Sequence, residues 1–111
     1  MKDDKLYLIH ILESVGRIEE YTTGGEQSFM QDHKTQDAVL RNLQTLGQSV
    51  KNLSEELKMH YPDVPWGLIA GFRNVLVHDY LGINMERVWN IVKDDLSDFK
   101  RKIQLILKDK E

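Results

Sequence analysis

The sequence predicts an all-α fold: an up-and-down bundle of four to five helices, in a single domain spanning residues 1–111. Two observations carry this. Apolar residues recur at steps of three and four along most of the chain, which is the spacing of a buried helix face. Residues that cap or stop helices separate these stretches, and no stretch reads as a strand.

Asp3 or Asp4 is placed to cap a first helix, whose apolar face is Leu8, Ile11, Leu12, Val15 and Ile18. Thr22 to Gly25, "TTGG", should end it. Ser28 with Gln31 has the spacing of a capping box, so a short helical turn is expected before the second long helix. That helix has the clearest period: Val39, Leu43, Leu46, Val50, Leu53 and Leu57 alternate steps of four and three. It should fade at Pro62 and Pro65. Asp63 is placed to cap a third helix, with Pro65 in its first turn, running through "WGLIAGFRNVLVH", Trp66 to His78. Gly67 and Gly71 stand four apart there and leave room for another helix to approach closely. Gly82 should stop the chain and Asn84 should cap a last helix, with the stripe Met85, Val88, Val92, Leu96, Phe99, Ile103 and Ile106.

The chain has 111 residues, enough to bury a core without staples. It has no cysteine, so disulfides and thiolate metal sites are excluded. The opening "MKDDKLYLIHILESV" is a poor signal peptide, and no apolar run approaches a membrane span; a cytoplasmic protein is expected. Net charge is −3, against a general nucleic-acid coat. Residues 1–63 carry 7 basic and 11 acidic groups, whereas residues 64–111 carry 8 and 7. Near the end, Lys100, Arg101, Lys102, Lys108 and Lys110 accompany Asp109 alone. They could meet a polyanion locally, but they also read as ordinary cations at a helix C-terminus.

Much familiar chemistry is missing. His10, His33, His60 and His78 contain no pair at i, i+4, and no Glu-x-x-His occurs. Phosphate-loop, dinucleotide and nucleophile-elbow motifs are also missing. Neither a metal nor a cofactor is expected.

One stretch stands apart. In "GFRNVLVHDYLGIN", Arg73, Asn74, His78, Asp79 and Tyr80 fall within eight residues, among Val75, Leu76, Val77 and Leu81. RNA carries its own nucleophile, the 2′-hydroxyl, so its cleavage needs only a base, an acid and positive charge on the transition state. Histidine can serve as acid or base, and arginine forks onto phosphate oxygens. Asparagine can hold the ribose or the histidine, and tyrosine can stack on a base or donate to phosphate. A plainer reading makes His78 a helix-end cation beside Asp79, Arg73 half of an ion pair, and Tyr80 a core aromatic. On a regular helix, Arg73 and His78 diverge by about 140°. The helix could loosen after Val77, Arg73 could reach round, or the two could meet counterparts from a second copy across a two-fold axis.

"RNVLVHDY" resembles the Arg-x4-6-His signature of HEPN domains, with the usual polar residue, here Asn74, after the arginine. With Tyr80 two places past His78, it is similar to the HepT-type toxins encoded beside a minimal nucleotidyltransferase antitoxin. Residues 35–57, 64–84 and 88–96 extend the resemblance over nearly the whole chain. Gly67 departs from it, since many relatives carry arginine directly after the tryptophan. The resemblance implies a HEPN-type bundle and a homodimer whose third helices meet. It implies a composite, metal-independent ribonuclease cleft with Arg73 and His78 catalytic and Asn74 and Tyr80 orienting substrate, transfer RNA or messenger RNA. It further implies silencing by the nucleotidyltransferase, which adds AMP to Tyr80. The alternatives are a non-catalytic HEPN module that binds a nucleotide or sequesters a partner, and a bundle serving only as a dimerisation scaffold.

Overall fold

A computed structural model describes residues 3–74 and 84–110; of Arg73 and Asn74 it describes the backbone alone. Every regular element among the described residues is helical. The expected bundle is present, but several of its element ends fall elsewhere than the sequence suggests.

Helix α1 runs Asp4–Tyr21, with Asp3 as its cap: the Asp3 carboxylate accepts from the Leu6 N–H at 3.2 Å. Asp4 does something else. Its carboxylate accepts from the N–H of Ser54 at 2.8 Å and from the Ser54 hydroxyl at 2.7 Å. This ties the start of α1 to a chain segment 50 residues away. The expected face is inward, with Leu8, Ile11, Val15 and Ile18 fully buried.

Ser28 and Gln31 do not form a cap. Helix α2 already begins at Gly25, where a φ of 87° turns the chain in a way that glycine tolerates, and it runs Gly25–Gln31 with Ser28 inside. The long helix α3, His33–Asn52, is capped by Asp32. Its carboxylate accepts from the Lys34 N–H at 3.0 Å and the Thr35 hydroxyl at 2.8 Å. The Thr35 hydroxyl above all holds the Asp32 carboxyl below its ordinary pKa. Gln36, buried, donates from Nε2 to the carbonyls of Phe29 and Met30 and so satisfies the end of α2.

The heptad-like stripe of α3 stays buried through Leu53 and Leu57, but the helix does not continue beneath it. Leu53 is extended, and a separate helix α4, Glu55–His60, begins behind a Ser54 cap whose hydroxyl accepts from the Leu57 N–H at 3.1 Å. Helix α1 is antiparallel to α3 and packs against it, as the Asp4–Ser54 contact requires.

The last helical stretch is not uniform. Asn84 caps α6, Met85–Asn90, accepting from the Arg87 N–H at 3.1 Å, as its position in the sequence predicts. A π turn, Ile91–Asp95, comes next, and α7, Leu96–Lys110, completes the stretch. The physical reason lies in the apolar spacing. Val88, Val92 and Leu96 are two successive steps of four, and in an unbroken α-helix Val88 and Leu96 would stand about 80° apart. The wider π turn absorbs that excess, so that Val88, Leu96, Phe99, Ile103 and Ile106 are all buried. Helix α7 runs antiparallel to α1 and packs on it, with Lys100 bonded to Glu19 at 2.9 Å.

The basic run near the end is largely engaged by the protein's own acids. Besides the Lys100–Glu19 pair, Arg101 pairs with Asp98, and Lys102 reaches Asp98 at 3.3 Å. Lys108 and Lys110 lie in the last turn of α7, where cations suit the helix dipole. No described helix is long and apolar enough to cross a membrane.

Candidate active site

The segment that carries the Arg73–Tyr80 cluster is positioned from its N-terminal side. Helix α4 ends at His60, ahead of Pro62. Asp63 does not cap the next helix; its carbonyl accepts from Lys102 Nζ at 3.1 Å, and the cap position is taken by Pro65. Proline suits the start of a helix, where its missing N–H costs nothing. Helix α5 is short, Trp66–Ala70. Its first residue works as a clamp: Trp66 Nε1 donates to the carbonyl of Lys58 at 3.2 Å and to that of Tyr61 at 3.0 Å. The indole thereby satisfies carbonyls at the end of α4 while beginning α5.

The expected α-helix through His78 is corrected already at Gly71, where the backbone tightens into a 3-10 turn, Gly71–Asn74. Two glycines in one short stretch weaken the α form, since each costs about 1 kcal/mol relative to alanine in a helix interior. Ile69 and Phe72 are buried and hold this segment down, and the turn packs against α3. Gly67 and Gly71 are exposed, and a Cβ at either would meet no described atom within 4 Å.

Arg73 and Asn74 come directly after the buried Phe72, in the 3-10 turn. His78 and Tyr80 lie outside the described residues, as does the loosening considered after Val77. Asn84 caps α6, with Arg87 exposed one turn on. Trp89 is buried, its ring tilted against that of Phe29 with centroids 5.4 Å apart. Its indole N–H is buried and has no hydrogen-bond partner among the described residues.

A described cleft belongs to different residues. It encloses about 510 Å³ between the start of α1, α4 and the end of α7, and Asp4, Glu56, His60, Tyr61 and Asp109 help to line it. Asp4 is engaged by Ser54, and Asp109 accepts from the Tyr61 hydroxyl at 3.2 Å. Burial, with help from Asp109, raises the Tyr61 pKa. Its three carboxylates, Asp4, Glu56 and Asp109, outnumber the one lysine of the lining, Lys110, which disfavours phosphate there. No group of three or more His, Asp or Glu among the described residues is arranged to hold a metal ion.

Comparison with known proteins addresses the sequence carried by this scaffold. Residues 11–106 match the family model HepT-like, described as "Ribonuclease HepT-like". The chain belongs to the HepT-like ribonuclease family. Among its relatives is a provisionally named RNase of Methanocaldococcus jannaschii, 40% identical over 111 residues, covering 99% of this chain and 92% of that protein. A probable ribonuclease HepT of Thermococcus cleftensis is 35% identical over 108 residues, 96% of this chain and 98% of the relative. A second Methanocaldococcus jannaschii protein, named for a gamma-glutamylcyclotransferase and a provisional RNase, is 38% identical over 109 residues. That match covers 97% of this chain but 49% of the relative, so the chain spans about half of that protein's length. No solved structure gives a significant match.

The helical bundle agrees with the HEPN-type fold that the resemblance implied. The π turn and the Trp66 clamp are among the features not expected from the sequence. The paired steps of four at Val88–Val92–Leu96 signal the first. Nothing local in the sequence signals the second, because its acceptors are backbone carbonyls.

Proposed function

We propose that this chain is a metal-independent endoribonuclease and the toxin of a toxin–antitoxin pair. The observation that carries this is the intact Arg73-x4-His78-x-Tyr80 pattern, in a chain that belongs to the HepT-like ribonuclease family. The position of Arg73 in the 3-10 turn that follows α5, immediately after the buried Phe72, supports it.

The reaction is dictated by the chemistry of RNA. The 2′-oxygen attacks the adjacent phosphorus while its proton passes to a base. The bond to the 5′-oxygen breaks, and that oxygen takes a proton from an acid. The products are a 2′,3′-cyclic phosphate and a free 5′-hydroxyl. His78 moves the proton, and Arg73 answers the charge that builds on the non-bridging oxygens. Asn74 and Tyr80 orient the substrate. The functional unit is a homodimer.

Incubation with total RNA in chelator tests this. Wild type is expected to cut RNA. His78→Ala and Arg73→Ala should each lose on the order of 10²-fold or more in rate, with helicity and melting little changed. Cleavage by both variants at the wild-type rate would place the site elsewhere.

The partner in this reading is a minimal nucleotidyltransferase that modifies Tyr80. The phenol oxygen attacks the α-phosphorus of ATP, pyrophosphate leaves, and AMP remains on the tyrosine. The added bulk and negative charge then oppose an incoming phosphate. Mixed with the partner and ATP, wild type should gain AMP mass on the peptide containing Tyr80, while Tyr80→Phe should gain none. Fragment mapping that puts AMP on another residue removes this assignment.

A further inference from the structure

Between α5 and the π turn runs a small groove of about 110 Å³. Leu68, Ile69 and Phe99 provide apolar lining, and Asp94, Asp95 and Asp98 provide an acidic side. Ile69 and Phe99 belong to the core, whereas Leu68 is 60% exposed and sets an apolar side chain at the rim of the groove. The π turn accounts for the acidic side. In a regular α-helix Asp94 and Asp95 would diverge by about 100°, and the wider turn narrows that angle. Asp98 is answered by Arg101 and Lys102. Asp94 and Asp95 are exposed and have no ion-pair partner among the described residues.

We propose that this groove is an anchor point for a protein partner. A segment of the partner inserts one apolar side chain beside Leu68 and sets a lysine or arginine against Asp94 and Asp95. The volume suits one side chain rather than a whole helix. A stable interface buries about 800 Å² on each side, so the groove is a focal point within a larger contact. RNA is a poor occupant, because its phosphates would face three carboxylates. A second copy docking groove to groove is also disfavoured, because a two-fold contact would set the same carboxylates against each other. A cationic, apolar segment meets neither objection, and its charge complements the rim. The inference stands independently of the ribonuclease reading.

The test is selection of a random-peptide library, displayed on phage, against the full chain at low salt. Enriched peptides should share a lysine or arginine beside a leucine, phenylalanine or methionine. A purified peptide from that set should bind wild type and weaken with added salt. It should lose about tenfold or more in affinity to Leu68→Glu and to the double variant Asp94→Asn with Asp95→Asn, the range expected of an anchor. The double variant changes only exposed charge, so its folding should be intact by circular dichroism. Enrichment of peptides without basic residues, undiminished binding to the double variant, or recovery of no binder overturns the proposal. Sedimentation in which Leu68→Glu splits a dimer would overturn it too, since the occupant would then be a second copy. RNA cleavage enters none of these readouts, so failure here is distinct from failure of the ribonuclease reading.

Discussion

Single residues with two partners hold this molecule in register. Ser54 caps α4 through the Leu57 N–H, and its own N–H and hydroxyl both donate to the Asp4 carboxylate. One side chain thus starts a helix and fastens it to the beginning of the chain. Replacing it with alanine removes the cap and leaves Asp4 with the backbone bond alone. Loss of such a cap typically costs about 1 kcal/mol and up to about 2, and Ser54→Ala should fall toward the upper end because a carboxylate also loses a partner. Urea unfolding should show a lower midpoint with an unchanged slope. Asp4→Ala should cost less, since the Ser54–Leu57 cap survives it; a larger loss from Asp4→Ala would show that the clamp outweighs the cap. Trp66 joins two elements in the same way, but with backbone acceptors on the far side.

At the scale of elements, periodicity was a good guide to faces and a poor guide to ends. Leu53 and Leu57 belong to the buried stripe as the sequence indicates, yet the helix expected to carry them breaks between. A stripe records which side faces the core, and a new helix on the same side continues it unchanged. The break was legible in principle, because Ser54 before Glu55 and Glu56 is a start signal. Asp32 before α3 was likewise legible, as an aspartate directly ahead of the helix it caps. Asp63 failed as a cap because Pro65 takes the cap position and Trp66 begins the helix. Asn84 succeeded because nothing competes with it locally. The candidate site was legible in another way. Its residue types and spacing indicate a chemistry, but periodicity assumes one helical geometry from Trp66 to His78, and that assumption fails at Gly71. The glycine was visible in the sequence, whereas the choice of a 3-10 turn there depends on Phe72 packing into the core.

At the scale of the whole molecule, the question is how Arg73 and His78 act on one phosphate. In the proposed homodimer, each cleft is assembled around a two-fold axis from both copies. This makes a prediction that a single-copy site does not share. Arg73→Ala and His78→Ala are each inactive alone, since every cleft in such a dimer lacks all of one residue type. When the two variants are mixed and allowed to exchange subunits, about half of the dimers become mixed. Each mixed dimer then holds one intact arginine and one intact histidine, contributed by different copies. Cleavage should return to a measurable fraction of the wild-type rate, rising with the extent of exchange as followed by native mass spectrometry of isotope-labelled copies. If each chain must supply both residues to its own site, mixing restores nothing however complete the exchange, because no chain carries both. Gly71→Leu adds a second arm. Gly67 in α5 and Gly71 at the start of the 3-10 turn are exposed with room for a close neighbour, and a bulky side chain there should wedge two copies apart. It should lower the sedimentation coefficient and the cleavage rate together, while Arg73 and His78 are unchanged. A wild type that sediments as a monomer at micromolar concentration and still cuts RNA would end the composite-cleft account, as would full exchange without recovery.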